Sequence, residues 1–253
     1  TPTIYVGLQL ILPGEVAPAH RHTPTAVRFV IEGEGGYTTV NGEKCPMHKG
    51  DLILTPALNW HEHGHEGSGP VIWMDALDLP MIYAMEASYA IEGPSQPVRP
   101  EADASQNKYR RAGLLPYASL GRAQRADYPQ IRYPWVDVRQ ALAALATVTP
   151  KDEAVQLAYV NPETGRPCLP TLGFSAMQLR AGQDLALRKR SASGVIHVIE
   201  GRGESEIDGV TLQWTEGDTL TIPTHAQVRH RAMGNDAYLF HVDDAPMQRA
   251  LGF

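Results

Sequence analysis

An internal repeat divides this chain of 253 residues into two copies of one structural unit. The sequence VIEGEG at residues 30–35 recurs as VIEGRG at residues 198–203, an offset of 168 residues. Turn residues then follow in the same order in both copies, at an offset of 167: Asn41-Gly42 and Asp208-Gly209, Gly50-Asp51 and Gly217-Asp218, Pro56 and Pro223. Asn-Gly and Asp-Gly between alternating segments are typical of β-hairpins, because both turn residues need positive φ. We therefore predict two copies of one all-β unit, over residues 4–85 and 172–250.

The segment between the two copies has a different composition. Residues 96–127 are polar and rich in Pro and Arg, which is typical of a linker or a surface arm. Residues 136–148 have apolar side chains at helical spacing, with Val138, Leu142 and Leu145 on one face. A further short helix is expected around residues 81–90. The predicted organisation is a first barrel over residues 1–95, a partly helical connection over 96–171 and a second barrel over 172–253.

Composition excludes several classes of protein. Hydrophobic residues make up 43% of the chain, which is too many for a disordered protein. No apolar run approaches the roughly 20 residues that a membrane span needs, and the first residues begin no signal peptide. The net charge of −6 disfavours a nucleic-acid partner, and two cysteines fit a reducing compartment. We expect a soluble cytoplasmic protein with neither nucleic acid nor a membrane as partner. The missing initiator Met suggests part of a longer chain.

Three histidines of the first copy form a candidate metal site. His20 and His22 are two residues apart, so on a strand both imidazoles point to the same face. His61 follows about forty residues later, after the hairpin and turn signals, and can supply a third nitrogen. Three neutral imidazoles on rigid strands occupy one side of a coordination sphere and leave other positions open to substrate. The alternative interpretation is a set of surface histidines.

The spacing of these residues resembles the two sequence motifs of the cupins. The first motif is matched by Gly14, His20-Arg21-His22 and Gly33, and the second by Gly50-Asp51, Pro56 and His61. Metal-binding cupins usually place a Glu four or five residues after the second His, where this chain has Ala26 and Val27. The resemblance therefore implies three His ligands without a carboxylate. A divalent ion held in this way keeps its double charge, which a substrate with a carboxylate beside a phenolate could neutralise.

The second copy lacks these ligands. Arg188 and Arg190 stand at the positions of His20 and His22, and Val228 replaces His61. Arg cannot ligate a metal because it is effectively always protonated. Three histidines that remain in this copy are interpreted as scattered structural or surface residues: His197, His230 and His241. We expect a metal in the first barrel only.

Longer stretches of the chain resemble one family, the gentisate 1,2-dioxygenases, with salicylate and 1-hydroxy-2-naphthoate dioxygenases as relatives. The stretches are residues 8–15 (LQLILPGE), 17–23 (APAHRHT), 28–33 (RFVIEG), 60–63 (WHEH), 73–78 (WMDALD) and 159–165 (YVNPETG). The resemblance implies a bicupin of two jelly-roll barrels, a homotetramer with one Fe(II) per chain, and opening of gentisate by O₂ to give maleylpyruvate. Family members also carry a substantial N-terminal segment that this sequence lacks.

The resemblance also assigns roles to individual residues. His20, His22 and His61 match the iron ligands, Arg28 matches an arginine that faces the substrate, and other pocket positions are matched by Gln9, His63 and Asp75. Arg28 lies six residues after His22, so on a continued strand it would share the ligand face and could bind a carboxylate.

His63 could serve as a general acid or base near neutral pH, and Asp75 is expected to orient His63 or a ligand imidazole. Each of these residues could instead be an ordinary strand or surface residue, and Gln9 in particular needs no function. His48 and His65 are interpreted as surface residues.

Other functions remain open at the sequence level. The same chemistry could act on salicylate or 1-hydroxy-2-naphthoate instead of gentisate. A zinc- or manganese-dependent isomerase is an alternative enzyme class, since three histidines also suit zinc. A non-enzymatic ligand-sensing bicupin is a third, because one fold hosts many functions.

Overall fold

A computed structural model describes residues 1–124 and 126–253, so Arg125, in the predicted arm, lies outside the described residues. Two compact units make up the chain. The N-terminal unit comprises Tyr5–Asp137 and Val160–Leu169, and the C-terminal unit comprises Thr1–Ile4, Val138–Tyr159 and Pro170–Phe253. The division into 1–95, 96–171 and 172–253 stays a prediction.

The N-terminal unit is built mainly from short strands. They are β1 (Tyr5–Ile11), β2 (Val16–His22), β3 (Ala26–Glu32), β4 (Gly36–Val40), β5 (Glu43–Pro46), β6 (Leu52–Thr55), β7 (His61–His65), β8 (Val71–Leu77), β9 (Ala90–Glu92) and β10 (Arg132–Tyr133). Its short helices are α1 (Leu79–Ala84), α2 (Ala104–Tyr109) and α3 (Tyr117–Leu120), and α4 (Trp135–Ala146) begins in this unit.

Two antiparallel sheets enclose the core of the N-terminal unit. One has the strand order β1-β8-β3-β6-β10 and the other β5-β4-β7-β2-β9. Their facing side chains form one buried cluster, in which Val30, Ile53 and Trp73 come from the first sheet and Val40 and Cys45 from the second. Each large side chain buried in this way stabilises the fold by about 1.5–3 kcal/mol. The non-sequential strand order is that of a jelly roll.

The repeated turn residues adopt the conformations that the sequence predicts. Asn41 and Gly42 have φ of 47° and 84°, and the matching Asp208 and Gly209 have 48° and 81°. Positive φ at both central residues suits the twist of the flanking strands. Both hairpins are therefore confirmed: β4 pairs with β5, and in the second copy Arg202–Ile207 pairs with Val210–Thr215.

The Gly50-Asp51 turn anchors the connection to the N-terminal unit. Gly50 has φ of +83°, and a Cβ there would lie 2.5 Å from the ring of Trp135. Asp51 accepts hydrogen bonds from the Trp135 backbone N–H at 2.8 Å and from Arg132 Nη1 at 2.6 Å. Arg132 also donates to both oxygens of Asp103. The turn thus fixes the start of α4 and the arm that carries Asp103.

The C-terminal unit repeats the same architecture. Its strands are β11 (Val155–Ala158), β12 (Gly173–Leu179), β13 (Asp184–Ala186), β14 (Gly194–Glu200), β15 (Arg202–Ile207), β16 (Val210–Thr215), β17 (Thr219–Ile222), β18 (Val228–Ala232) and β19 (Ala237–Asp243), followed by helix α5 (Ala245–Ala250). The two sheets have the orders β11-β12-β19-β14-β17 and β13-β18-β15-β16. Buried side chains of both sheets form the core, among them Ile196, Leu239 and Trp214.

The helices agree with the sequence pattern. The helix expected over residues 136–148 is α4, with Leu142 fully buried and Val136 exposed. The shorter helix expected around residues 81–90 is α1, which begins earlier, with Pro80 in its first turn. Pro suits this position because the first N–H groups of a helix have no intrahelical partner. Among the described residues, no helix combines the length and the apolar composition that crossing a bilayer requires.

Candidate metal centre

Three imidazoles converge inside the N-terminal unit. His20 and His22 end β2, and His61 begins the neighbouring strand β7. The pairing of these strands is shifted between Ala17 and His20, and the shift places His20 opposite His61. An irregularity of this kind changes the direction in which the following side chains point.

The spacing of the three rings suits a shared ion. The ring centre of His61 lies 4.3 Å from that of His20 and 4.9 Å from that of His22, and the rings of His20 and His22 are 5.8 Å apart. One nitrogen from each residue lies within 4.8 Å of the other two. The histidines singled out from the sequence could therefore hold a metal ion together.

Backbone carbonyls fix the orientation of all three rings. The Nδ1 atoms of His20, His22 and His61 contact the carbonyl oxygens of Pro18, Pro24 and Asn59 at 2.8, 2.7 and 2.9 Å. A carbonyl only accepts, so each Nδ1 carries the hydrogen and each Nε2 keeps a lone pair. The buried Nε2 of His61 has no hydrogen-bond partner among the described residues. This donor set fits a metal ion, whose His ligands are commonly oriented through their second nitrogen.

Burial keeps the imidazoles of His22 and His61 neutral. Together with the nearby positive charge of Arg28, it lowers the pKa of His61 to about 2. Burial also lowers the pKa of His22, again with a contribution from Arg28. A metal binds only the unprotonated nitrogen, so at neutral pH these groups need no deprotonation before they bind an ion.

A cavity of about 400 Å³ opens beside the imidazoles. Six of the seven residues singled out from the sequence line it: Gln9, His20, His22, Arg28, His63 and Asp75. His61 contacts the edge of the His20 ring. The structure thus brings the expected residues to one site.

Arg28 lies on the cavity wall, although the strand argument that placed it there was wrong. β2 ends at His22 and β3 begins at Ala26, and the two strands belong to different sheets. Arg28 reaches the cavity from the facing sheet, where its Cα pairs with that of Asp75 on β8. Its Nε is 3.7 Å from Asp75 Oδ1, and its Nη1 donates a hydrogen bond to Thr55 Oγ1.

Burial of this ion pair acts against both charges. It raises the pKa of Asp75 and lowers that of Arg28, while the attraction between the two groups opposes each shift. The guanidinium stays protonated at neutral pH because its ordinary pKa is so high. Trp73 Nε1 also donates to Asp75 Oδ1 at 3.0 Å, which favours the carboxylate form. The cavity therefore presents a fixed positive charge near the imidazoles.

His63 contacts Thr38, whereas Asp75, expected to orient His63 or a ligand imidazole, has Arg28 and Trp73 as its partners. The Nδ1 of His63 lies 2.9 Å from Thr38 Oγ1. Its Nε2 is buried and has no hydrogen-bond partner within the described part of the chain. Its ring lies 5.9 Å from that of His61 and 5.3 Å from that of Trp73. A substrate in the cavity could reach the free nitrogen.

The other first-copy residues take different positions. Gln9 is exposed on the edge strand β1, at the rim of the cavity, and pairs in register with Trp73. His48 is exposed, as expected. His65 is buried, so its interpretation as a surface residue was wrong. Its Nδ1 accepts a hydrogen bond from the Gly67 backbone at 2.9 Å, which holds the turn after β7.

Sequence reasoning missed two residues of the site, Trp73 and Thr38. Trp73 could have been found, because it stands two residues before Asp75 on one strand and so shares its face. Thr38 gives no local signal. It meets His63 only because β4 and β7 pair in the register that sets these two residues opposite each other.

A second cluster of potential ligand atoms lies in the same unit, but its charged groups already have protein partners. Glu43, Cys45 and Asp103 bring their side chains together. The Ser105 hydroxyl and backbone N–H both donate to Glu43 Oε1, and Arg132 neutralises Asp103. Burial and the neighbouring carboxylates raise the pKa of the Cys45 thiol, which therefore stays protonated. This cluster serves as a structural link between β5 and the arm.

Three histidines of the C-terminal unit, those singled out from the sequence, are buried and less scattered than expected. His230 and His241 have ring centres 6.0 Å apart, and burial lowers their pKa values to about 4 and about 3. His197 is also buried, with its Nδ1 3.0 Å from Thr219 Oγ1. Surface placement was thus wrong for all three, and a structural role agrees with their burial.

Comparisons with known proteins agree with this geometry. A family model described as a cupin domain matches residues 7–77, which contain β1 to β8. A gentisate 1,2-dioxygenase from Ralstonia sp is 50% identical over 252 residues, covering 98% of this chain and 70% of that protein. A 5-aminosalicylate 1,2-dioxygenase from Comamonas sp is 39% identical over 260 residues, covering 99% of this chain and 67% of that protein.

A solved structure extends the agreement to the whole fold. The salicylate 1,2-dioxygenase from Pseudoaminobacter salicylatoxidans, crystallised as an adduct with gentisate, superimposes with a TM-score of 0.91 at 33% sequence identity. The match covers 100% of this chain and 71% of that one. Fold and site together define a bicupin ring-cleaving dioxygenase, so the expected all-β fold of two jelly-roll units is confirmed. Within that class, the chain belongs to the gentisate 1,2-dioxygenase family.

Proposed function

We propose that this chain is an iron(II)-dependent dioxygenase that converts gentisate and O₂ to maleylpyruvate. The observation that carries the proposal is the cavity beside the group of His20, His22 and His61, into which the buried guanidinium of Arg28 also reaches. A ring that bears a carboxylate beside a hydroxyl matches both features. The Ralstonia relative is named for the same activity.

His20, His22 and His61 would hold the iron through their Nε2 atoms. Their Nδ1 contacts leave those atoms unprotonated, and the open side of the triad faces the cavity. Bound iron(II) would supply the redox chemistry that ring opening by dioxygen requires. We propose one iron per chain, since Arg188, Arg190 and Val228 stand at the corresponding positions of the second copy.

Arg28 binds the substrate carboxylate in this proposal. Thr55 occupies one N–H of Nη1, and Asp75 faces the Nε edge, which leaves further N–H groups on Nη1 and Nη2. A guanidinium can hold a carboxylate with two parallel, charge-assisted hydrogen bonds. Asp75 and Trp73 keep the guanidinium in place without taking up this free edge. Gln9, at the rim, could add a polar contact to the bound ring.

His63 moves a proton in this proposal. Its Nε2 faces the cavity without a partner among the described side chains, and burial keeps its pKa well below the ordinary value. A neutral imidazole in that position can accept a proton from a ring hydroxyl and return it to the opened product. Asp75 takes part only through Arg28.

The cavity has room for a small aromatic acid. Ligand pockets usually span about 300–1,000 Å³, and this one has a volume of about 400 Å³. Gentisate is the proposed substrate because the Ralstonia relative, which is 50% identical, is named for it. Salicylate is a second candidate, because relatives are named for 5-aminosalicylate and salicylate. A homotetramer and a cytoplasmic location remain expectations from the family resemblance and the sequence.

Oxygen uptake by the reconstituted protein tests this function. The protein is loaded with Fe(II) under anaerobic conditions, its iron is counted, and oxygen consumption is followed with gentisate, salicylate and 1-hydroxy-2-naphthoate in turn. We expect rapid uptake on gentisate, release of maleylpyruvate and no turnover with Zn(II) or Mn(II) in place of iron. A fully loaded protein that consumes oxygen on salicylate but not on gentisate would show that the substrate was chosen wrongly. Turnover with zinc would exclude the dioxygenase.

A further inference from the structure

We propose that Thr38 is a positioning residue for the reaction, because its hydroxyl holds His63 with Nε2 directed into the cavity. The inference rests on the proposed role of His63 as the group that moves a proton. It adds a residue from a different strand, β4, whose only route to the substrate is through the imidazole.

Register and burial make this contact specific. Thr38 on β4 and His63 on β7 are direct partners in the antiparallel pairing, and the next pair on the same face of the sheet is Val40 with His61. Thr38 Oγ1 lies 2.9 Å from His63 Nδ1, and both residues are buried. Water therefore does not compete for Nδ1, and the hydroxyl holds this edge of the ring.

A second contact allows the Thr38 hydroxyl either to accept a hydrogen bond from His63 Nδ1 or to donate one to it. Thr38 Oγ1 also donates to Met47 Sδ at 3.6 Å. When its hydrogen points to the sulfur, the hydroxyl oxygen accepts from His63 Nδ1–H, and Nε2 keeps its lone pair. When the hydrogen turns to Nδ1, Nε2 must carry the proton instead. Rotation of one hydroxyl thus keeps Nδ1 hydrogen-bonded in either neutral tautomer of the ring, and so holds the ring in place, which an apolar side chain of the same shape cannot do.

The C-terminal unit contains the same pair and supplies an internal control. Ser205 and His230 are direct partners of β15 and β18, and Ser205 Oγ lies 2.7 Å from His230 Nδ1. Both residues lie 167 positions after Thr38 and His63. There the hydroxyl also accepts from Trp214 Nε1 at 2.8 Å. This pair has the same burial and geometry, but its unit lacks the three ligand histidines, so loss of its hydroxyl should affect stability alone.

The test compares Thr38→Val, which keeps the shape and removes the hydroxyl, with Thr38→Ser, which keeps the hydroxyl. Each iron-loaded protein is assayed for iron content, for kcat and KM on gentisate and for thermal stability. We expect Thr38→Val to keep its iron and to change KM by less than about threefold, while kcat falls at least tenfold, a part of the roughly 10²–10⁴-fold effect of losing a general acid or base. Thr38→Ser should recover kcat to within about threefold of the parent.

Two further variants complete the design. Ser205→Ala should lower thermal stability and leave kcat unchanged. A crystal structure of Thr38→Val should show the His63 ring rotated or disordered, a result that does not depend on turnover. If Val is not accommodated, Thr38→Ala gives the same comparison with Thr38→Ser.

Each of the following results would overturn the proposal. Parental kcat in Thr38→Val, while His63→Ala is inactive, would show that the hydroxyl is dispensable although His63 is required. Equal losses of kcat in Thr38→Val and Thr38→Ser would show that packing, and not the hydroxyl, matters. An equal loss of kcat in Ser205→Ala would show that the effect is one of general stability. Full activity of His63→Ala would remove the proposed role of His63 and this inference with it.

Discussion

Arg28 and Asp75 are direct partners across β3 and β8, and Arg28 Nε lies 3.7 Å from Asp75 Oδ1. The carboxylate balances the buried guanidinium and leaves its outer N–H groups directed at the cavity. Asp75 is itself held by Trp73 Nε1 at 3.0 Å. A chain of three side chains on two strands therefore fixes a positive charge that the cavity offers to an anionic substrate.

Replacing Arg28 should weaken recognition of the carboxylate. Lys cannot reproduce the planar two-point contact, so Arg28→Lys should already raise KM for gentisate. Arg28→Ala should cost about 2–3 kcal/mol of binding, as expected when a charge-assisted pair is lost in a partly dry site. The measurement is the ratio of kcat/KM on gentisate to that on hydroquinone, which lacks the carboxylate. An unchanged ratio in Arg28→Ala would show that Arg28 does not bind the substrate carboxylate.

Removing a ligand imidazole should remove the metal. His20→Ala and His61→Ala each leave two nitrogens, which hold a divalent ion poorly. Metal analysis after reconstitution should give about one iron per chain in the parent and almost none in either variant. His241→Gln, in the C-terminal unit, is the matched control and should keep the parental iron content. A parental value near two would mean that the second unit also binds metal.

His63→Ala should separate proton transfer from metal binding. We expect most of the iron to remain, because the three ligands are intact, and turnover to fall by roughly 10²–10⁴-fold. Iron content and kcat are measured on the same preparation. Loss of iron in proportion to activity would make His63 a ligand or a structural residue.

The buried histidines of the C-terminal unit should make the fold sensitive to acid. Burial lowers the pKa of His230 to about 4 and of His241 to about 3, whereas an unfolded chain titrates near 6.5. Below about pH 6.5 the unfolded state binds protons that the folded state does not, so stability falls as the pH falls. Between pH 7.5 and 5, His241 alone should account for about 2 kcal/mol of this loss.

Urea unfolding at these two pH values, with a chelator present, measures this effect. The loss of stability should be smaller by about that amount in His241→Gln than in the parent. His48 tests the direction of the pH effect. Its hydrogen bond to Asp51 raises its pKa, so the folded state binds this proton more tightly than the unfolded state does. His48→Gln should therefore steepen the loss. An identical pH dependence in the parent and His241→Gln would contradict the prediction.

The sequence predicts those parts of the molecule that local patterns determine. The repeated Asn-Gly and Asp-Gly turns identify both hairpins, and the i, i+2 spacing of His20 and His22 identifies two members of the triad. Contacts between strands are harder to predict from the sequence. Arg28 reaches the cavity from the opposite sheet, Asp75 pairs with Arg28 and not with His63, and Thr38 meets His63 only through strand register. The strand register shifts between Ala17 and His20, and this shift places His20 opposite His61. Neither composition nor residue spacing indicates it.

The repeated hydroxyl–imidazole pair separates two features of the units. The units differ at the ligand positions, while Ser205 and His230 make the same contact as Thr38 and His63. The two units therefore differ at the ligand positions more than in this part of their interiors. At the ligand positions themselves the second copy has Arg188, Arg190 and Val228. The hydroxyl–imidazole contact therefore occurs without the ligand histidines, as a polar link inside the core of the C-terminal unit.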